Sequence, residues 1–214
     1  GSFILGYEQS GYDNWIGAVV NINPTQGNST VVHTPGGKSA ELKSQFKVKF
    51  AAASLYTGSF GSLVGMNGAK IKFGRSFASR PFALHGFFQY APVAVTHIGD
   101  NQPAGTLSKG DMDVCSIYIA LAKESYTVDN TKAETFIQFK TDNNIIAYGE
   151  LPLKECVSTN GTWKEFTIDL EYKTLEKPND MYLIVVASAS KYGDYFTGGD
   201  GSILYVDDFE LIYD

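Results

Sequence analysis

The sequence predicts an all-β protein, an antiparallel β-sandwich with jelly-roll topology. Apolar residues alternate with polar ones, turn signals rich in Gly and Asn interrupt this pattern at short intervals, and no segment longer than about two helical turns has helical periodicity. Many short strands at regular spacing are typical of sandwiches and jelly rolls. Tyr and Phe, which favour strands, are abundant, with 13 and 14 copies.

The clearest strands show which face is solvated. In KEFTIDLEY, Phe166, Ile168 and Leu170 alternate with charged or hydroxyl side chains, as expected for a strand with one solvated face. In DVCSIYIALA one face is apolar, and the other, with Ser116 and Tyr118, is mild rather than charged, which indicates a central strand. Further strands are predicted in AKIKFG, FALHGFFQYAP, ETFIQFKT, MYLIVVAS and ILYVDDFELIY, and weaker ones in STVVHT and SQFKVKFA.

Size and charge limit the possible functions. The chain has 214 residues, 43% of them hydrophobic and 19% charged, which suits one large all-β domain. The formal net charge is −6 and no run of Lys or Arg stands out, so we expect no nucleic-acid partner. No apolar stretch approaches ~20 residues, so we expect no membrane span in this segment.

The cysteines leave two possibilities open. Cys115 lies in an apolar strand pattern and Cys156 lies near a predicted turn. Their spacing does not decide between one disulfide and two separate buried thiols. The sequence contains no CxxC motif and no Cys/His cluster that would predict a zinc site.

The final strand contains two adjacent carboxylates, Asp207 and Asp208. Strict alternation places Asp207 on the same face as Phe209 and Leu211, which is the more apolar face and is expected to pack inward. A lone buried carboxylate is costly unless it is paired, hydrogen-bonded or bound to metal. Backbone amides or an arginine, a calcium ion, or a role in catalysis would each account for it.

Three segments together resemble one known family. GRSFASRPFALHGFFQYAP follows the pattern G-x-x-F-x-x-R-P-x-x-L-x-G-x-Y-x-Y-x-P, with Phe88 where a tyrosine is usual. YEQSGYDNWI, followed later by GKSAELKS, fits an F-E-x-W … S-A-x-L beginning, and SILYVDDFEL fits the closing strand. Over nearly its whole length the chain is therefore similar to the putative carbohydrate metabolism domain family, common in cell-surface lipoproteins of gut Gram-negative bacteria.

The resemblance implies a fold, a location and partners. The expected fold is a jelly roll like those of galactose-binding domains and carbohydrate-binding modules, with residues 1–214 as one domain, the C-terminal part of a longer secreted protein. The expected function is non-catalytic binding of a poly- or oligosaccharide, beside other domains of a glycan-utilisation protein at the cell surface or outer membrane. In such modules a structural calcium is often held at the positions that match Glu8 and Asp207 here, and carboxylate oxygens suit Ca²⁺.

The candidate sugar-binding residues lie mainly in predicted loops, where a rigid sandwich usually carries its binding site. Sugar binding needs aromatic faces and a few polar groups. The candidates are Tyr12, Trp15, Arg80, His85, Tyr192, Tyr195 and Phe196. For the loop aromatics, partial burial against a neighbouring loop is an equally good interpretation, and for Arg80 a structural salt bridge is the alternative.

Two other functions remain open at this point. A glycoside hydrolase needs two carboxyl groups about 5–9.5 Å apart. Asp208 and Glu210 share one face of the predicted strand at about 6.5–7 Å by strand rise, although a solvated acidic face is the favoured interpretation of them. A structural or adhesion module with no small-ligand site is the third possibility.

Overall fold

The computed structural model describes residues 3–5, 28–29, 31–36, 39–178 and 180–213, and these residues are almost entirely β-structure. Residues 3–5 and 28–29 enter the description through their backbone pairing. The strands in chain order are β1 Phe3–Leu5, β2 Asn28–Ser29, β3 Ser39–Lys43, β4 Gln45–Phe46, β5 Phe50–Ala51, β6 Ser54–Tyr56, β7 Gly58–Val64, β8 Gly68–Phe73, β9 Arg75–Phe77, β10 Ala83–Ala91, β11 Ser116–Ala122, β12 Tyr126–Asp129, β13 Ile145–Glu150, β14 Lys164–Asp169, β15 Glu171–Tyr172, β16 Met181–Ser188 and β17 Ile203–Ile212.

Two antiparallel sheets form the sandwich. The first sheet has the strand order β14-β10-β17-β3-β2, and β1 also pairs with β17. The second sheet has the order β15-β13-β11-β16-β6, and β9 also pairs with β16. Four strands of the first sheet, β3-β17-β10-β14, pack against four strands of the second sheet, β6-β16-β11-β13. This arrangement of eight strands in two antiparallel sheets is that of a jelly roll. The predicted all-β jelly-roll sandwich is confirmed.

The main core lies between these two sheets. On β10, Leu84, Phe88 and Tyr90 are buried while His85, Phe87 and Gln89 are partly exposed, as the alternation predicts. Gly86 completes the inward face because a Cβ there would overlap the rings of Phe209 and Phe166. The buried side chains of β14 are Phe166 and Ile168, also as predicted.

A third, smaller sheet covers part of the outer face of the second sheet. It has the order β12-β8-β7 and packs a second hydrophobic cluster, which includes Tyr56, Phe73, Val128 and Ile184. The central strands β11 and β16 are therefore buried on both faces over much of their length. This explains the mild second face of β11 in the sequence.

The strand predicted in ETFIQFKT is wrong. Residues 133–135 form a 3₁₀ turn and residues 136–144 continue as turns and coil. The aromatic side chains that suggested a strand pack individually: Phe139 lies against Tyr118 and Tyr148, and Phe136 meets Tyr195 edge-on. The described residues contain no helix long and apolar enough to cross a membrane.

The two cysteines are buried free thiols, and they are neighbours. The Cys115 and Cys156 thiols are close enough for each to affect the pKa of the other, and burial raises the pKa of Cys115 well above its ordinary value. Cys156 Sγ also donates to the carbonyl oxygen of Pro152 at 3.5 Å. Cys115 directly precedes β11 and Cys156 directly follows the turn at Leu153–Glu155, so the two thiols bring these segments together.

Candidate functional site

A large concavity lies on the outer face of the second sheet, beyond the part that the third sheet covers. Its volume is about 550 Å³. The floor is formed by β6, β11 and β16, and the walls by the β4–β5 hairpin, the β7–β8 hairpin and the turn at Gly193–Tyr195. We call this space the main cavity.

The floor of the main cavity combines an aromatic ring with hydroxyl groups. Tyr118 and Ser116 come from the mild face of β11, and Ser188 lies opposite Ser116 on β16. The Ser54 hydroxyl donates to Ser188 Oγ at 3.0 Å, and the Ser188 hydroxyl donates to the Ser190 carbonyl oxygen at 3.1 Å. The floor is thus held in place by the sheet and by its own hydrogen bonds.

The rim of the main cavity is apolar and unusually exposed. Val48 at the tip of the β4–β5 hairpin is 70% exposed, and Leu63 and Met66 on the β7–β8 hairpin are 71% and 79% exposed. Phe60 of β7, which is 43% exposed, also lines the cavity. Exposed apolar groups gathered at a cavity mark a surface that contacts something other than water.

A second, polar space adjoins the main cavity. This side cavity has a volume of about 220 Å³. Both cavities are lined by Lys49, Asn130, Asp194 and Phe196, so these four residues form the junction between them. The other residues that line the side cavity are Asn67, Asp100, Asn101, Thr131, Ala133, Phe136 and Tyr195.

Asp194 is the distinctive group at this junction. Its exposed surface faces the cavities, yet the surrounding protein displaces enough water to raise its pKa to about 6. Within the described part of the chain, no hydrogen bond or ion pair to its carboxylate is formed, and burial is the only cause of the shift. Lys49, the cation of the junction, instead places its Nζ 4.5 Å from the centre of the Phe196 ring.

Backbone hydrogen bonds and close packing hold the turn that carries Asp194. The backbone N–H of Gly193 donates to the Ser190 carbonyl at 3.0 Å, and that of Phe196 donates to the Gly193 carbonyl at 2.8 Å. Position 193 requires glycine because a Cβ there would overlap the side chain of Ala52. Phe196 closes the turn in the left-handed region, with φ of 56°.

A second carboxylate, Asp113, anchors this turn from below. It is 1% exposed, and its Oδ2 accepts hydrogen bonds from the Ser190 hydroxyl at 2.6 Å, the Gly199 N–H at 2.8 Å and the Ser202 hydroxyl at 2.9 Å. Its Oδ1 accepts the N–H of Val114 at 2.8 Å. Burial raises the pKa of Asp113, while these donors lower it.

The predicted loop aromatics near residue 195 do lie at this site. Tyr195 lines the side cavity, Phe196 lines both cavities, and Tyr192 immediately precedes the same turn. Tyr12 and Trp15 lie outside the described residues.

Arg80 and His85 lie elsewhere. The Arg80 guanidinium donates to the carbonyl oxygens of Glu176 and Thr174 and lies 4.1 Å from the centre of the Tyr172 ring. His85 is on the outer face of the first sheet, with Nε2 at 2.9 Å from Glu165 Oε1.

The inward orientation predicted for Asp207 is wrong, because a β-bulge interrupts β17. His85 pairs with Glu210 but Phe87 pairs with Asp207, so two residues of β17 oppose Gly86. Asp208 takes the left-handed conformation, with φ of 50°. Because paired residues share a face, Asp207 lies with Phe87 on the outer face of the first sheet.

Asp207 is nevertheless buried, because the segment 31–34 covers it. The N–H of His33 donates to Asp207 Oδ2 at 2.9 Å, and the N–H of Asp208 donates to Oδ1 at 2.9 Å. The His33 ring stacks on Phe87, and its Nδ1 lies 2.8 Å from Asp208 Oδ2. Burial raises the pKa of Asp207.

The described residues around Asp207 do not by themselves fit a calcium site. They present backbone N–H donors and an imidazole, whereas Ca²⁺ takes six to eight oxygen ligands. The other predicted ligand, Glu8, lies outside the described residues, so the calcium remains a prediction.

Asp208 and Glu210, the predicted alternative for catalysis, occupy this same outer face. The Asp208 carboxylate is engaged by His33 and by the Thr34 hydroxyl, which donates to it at 2.6 Å. Glu210 lies beside the bulge, paired with His85. Neither residue lines the main cavity or the side cavity.

Sequence reasoning did not identify Asp194, Lys49 or Tyr118 as site residues. A signal existed for two of them. Asp194 lies inside the aromatic stretch YGDYF, and Tyr118 lies on the mild face of a central strand. Lys49 gave no such signal, because its place at the junction depends on the fold of the β4–β5 hairpin over the second sheet.

The fold and the cavity define a jelly-roll β-sandwich with a recessed site on one sheet face. A family model described as "Putative carbohydrate metabolism domain" matches residues 4–212. The chain belongs to this family, which makes it a carbohydrate-related domain. No curated protein sequence matches the chain.

Solved structures share the fold. A "putative glycoside hydrolase" from Bacteroides thetaiotaomicron superposes with a TM-score of 0.68 at 23% identity, over 88% of this chain and 57% of that one. Another from Bacteroides vulgatus gives a TM-score of 0.63 at 24% identity, over 87% of this chain and 76% of that one. The chain thus spans little more than half of the first of these proteins.

Proposed function

We propose that this domain binds a poly- or oligosaccharide without cleaving it, and that the sugar chain occupies the main cavity and the side cavity. Membership of a carbohydrate-related family supports this proposal. The cavities supply what sugar recognition requires, namely aromatic rings for C–H faces and fixed polar groups for hydroxyls.

The observation that carries the proposal is the composition of the main cavity. Its described lining includes the rings of Phe60, Tyr118 and Phe196, together with several hydroxyl and amine groups. Its size lies within the usual range of ligand pockets, roughly 300–1,000 Å³. The floor belongs to strands β6, β11 and β16 of the second sheet, so a ligand meets a surface that is formed before binding.

The same lining favours binding over hydrolysis. Glycoside hydrolysis uses two carboxyl groups on opposite sides of the scissile bond. Among the described residues that line the main cavity, Asp194 alone carries a carboxyl group. Asp100 lines only the side cavity.

The wider setting is proposed with the function. We expect the domain to act outside the cell, as part of a longer surface lipoprotein of a Gram-negative bacterium, next to other domains of a glycan-utilisation protein. A structural calcium held by Glu8 and Asp207 belongs to the same proposal. A melting temperature that EDTA does not change, together with no metal in the purified protein, would contradict the calcium site.

A glycan array followed by calorimetry tests the binding function. We expect binding to at least one oligosaccharide, and we expect Phe60→Ala to weaken it about tenfold because a stacked ring is lost. Phe82→Ala is the matched control: Phe82 is 50% exposed and lines neither cavity.

Two results would contradict the proposal. Release of reducing ends from the bound oligosaccharide would make the domain a hydrolase. Absence of any ligand would contradict the binding function. Equal affinity of the Phe60→Ala and Phe82→Ala variants would show that the sugar binds outside the main cavity.

A further inference from the structure

The two cavities differ in chemistry, which suggests that they hold different parts of one ligand. The main cavity has an apolar rim and an aromatic floor. The side cavity is smaller and is lined mostly by amide, hydroxyl and carboxylate side chains. At about 220 Å³ it is smaller than a typical site for a whole ligand, so it suits one end of a longer molecule.

Asp194 lies at the junction of the two cavities, so a ligand that occupies both of them contacts it. Its carboxylate lies on a hydrogen-bonded turn, opens to both cavities, and receives no hydrogen bond from the described residues. No donor among these residues therefore satisfies the ionised form, and the adjacent protein makes its hydration less favourable. A ligand that brings hydroxyl groups would supply these donors.

The charges at the junction indicate a neutral ligand group. Lys49 does not form an ion pair with Asp194 within the described part of the chain, and its Nζ lies over the Phe196 ring instead. The side cavity adds a second carboxylate, Asp100, so it holds more negative than positive groups. Anionic sugars such as uronates would be repelled there, whereas neutral hydroxyls donate to carboxylates.

We propose that the Asp194 carboxylate accepts hydrogen bonds from two vicinal hydroxyls of a neutral terminal sugar residue seated in the side cavity. Vicinal hydroxyls match the two oxygens of one carboxylate in the same way that a bidentate donor does. The inference rests on the proposed function, because it names the part of the glycan that occupies the side cavity and the carboxylate that recognises it.

Binding of this kind depends on pH. Donors from the sugar favour the ionised form of Asp194, so the ligand lowers a pKa that the folded protein has raised to about 6. Affinity is full above this pKa and falls as the pH drops through it. Between pH 7.5 and pH 5 the ionised fraction decreases about tenfold, and the association constant should decrease by a similar factor.

The test uses calorimetry at both pH values with mannohexaose, β-1,4-galactotriose and cellohexaose as probes. We expect Asp194→Asn to weaken binding at pH 7.5 at least about tenfold and to abolish the pH dependence. Asp180→Asn, which alters an exposed carboxylate that lines neither cavity, should behave like the unaltered protein. The melting temperature of each variant verifies that it folds.

The outcomes separate this inference from the proposed function. Full binding by Asp194→Asn, a pH-independent affinity, or tighter binding of a uronate oligomer would overturn the role of Asp194. If Phe60→Ala still weakens binding in that case, the binding function stands. If neither those probes nor any glycan on the array binds the unaltered protein, both proposals fail together.

Discussion

Two carboxylates lie within one region of the fold and have opposite environments. Asp113 is almost fully buried, and four donors from the protein point at it. Asp194 faces two cavities and receives no donor from the described residues. Burial raises the pKa of both, so the pKa alone does not distinguish them.

The difference teaches how to separate a structural carboxylate from a candidate functional one. Asp113 holds Ser190 and Gly199, which flank the turn at Gly193–Tyr195, and its hydrogen bonds offset the cost of its burial. Asp194 is carried by that turn with no hydrogen-bond donor to its carboxylate among the described residues. A carboxylate left without protein donors at the junction of two cavities is a candidate for donors supplied by a ligand.

The largest expected effect is the loss of Asp113. Asp113→Ala leaves four buried donors without their acceptor and should lower the free energy of unfolding by about 3 kcal/mol. Urea denaturation measures this change. Asp180→Ala is the control and should shift the midpoint little, because Asp180 is exposed. Equal stability of the two variants would show that the hydrogen bonds to Asp113 do not stabilise the fold.

Removal of a single donor should have a smaller effect. Ser190→Ala deletes the shortest of the hydrogen bonds to Asp113, at 2.6 Å, and should cost about 1.5 kcal/mol. In a double-mutant cycle with Asp113→Ala the two losses should not add, because both remove the same interaction. Simple additivity would show that Ser190 acts through another contact, such as its hydrogen bond with Ser44.

Asp194→Asn should produce the smallest change in stability, and one of opposite sign. A folded-state pKa raised to about 6 means that the folded protein favours the protonated carboxyl. The resulting stabilisation is present below the pKa of the unfolded chain and is lost as the pH rises through about 6. The variant should therefore have a higher melting temperature than the unaltered protein at pH 7.5.

The pH dependence of that difference is the sharper measurement. The gain in melting temperature should shrink between pH 7.5 and pH 4.5, because Asp194 is protonated at the lower pH. A variant less stable than the unaltered protein at pH 7.5 would show that the carboxylate is satisfied within the protein, as Asp113 is.

Much of the fold could be predicted from the sequence, because alternation reports burial directly where a strand is regular. On β10 and β14 the predicted faces are the observed ones. Alternation failed at Asp207 because Asp208 adds one residue to β17, which reverses the faces of all residues before it relative to those after it. No local sequence signal marks that bulge unambiguously.

The site was less predictable, because it depends on how distant segments meet. Tyr195 and Phe196 were candidates because aromatic side chains in predicted loops suit sugar binding, and the structure places them at the cavities. Asp194 was not identified from the sequence, because Asp favours turns in any protein. Only its position between two cavities, beneath a hairpin some 150 residues earlier in sequence, sets it apart.

The rim of the main cavity is built from two hairpin tips, while its floor belongs to the sandwich itself. Hairpin tips accept substitutions, insertions and deletions that central strands reject. If the domain binds sugars in the main cavity as proposed, changes at residues 47–49 and 65–67 would alter its sugar preference. Exchanging these short segments between homologues would then change glycan selectivity on an unchanged scaffold.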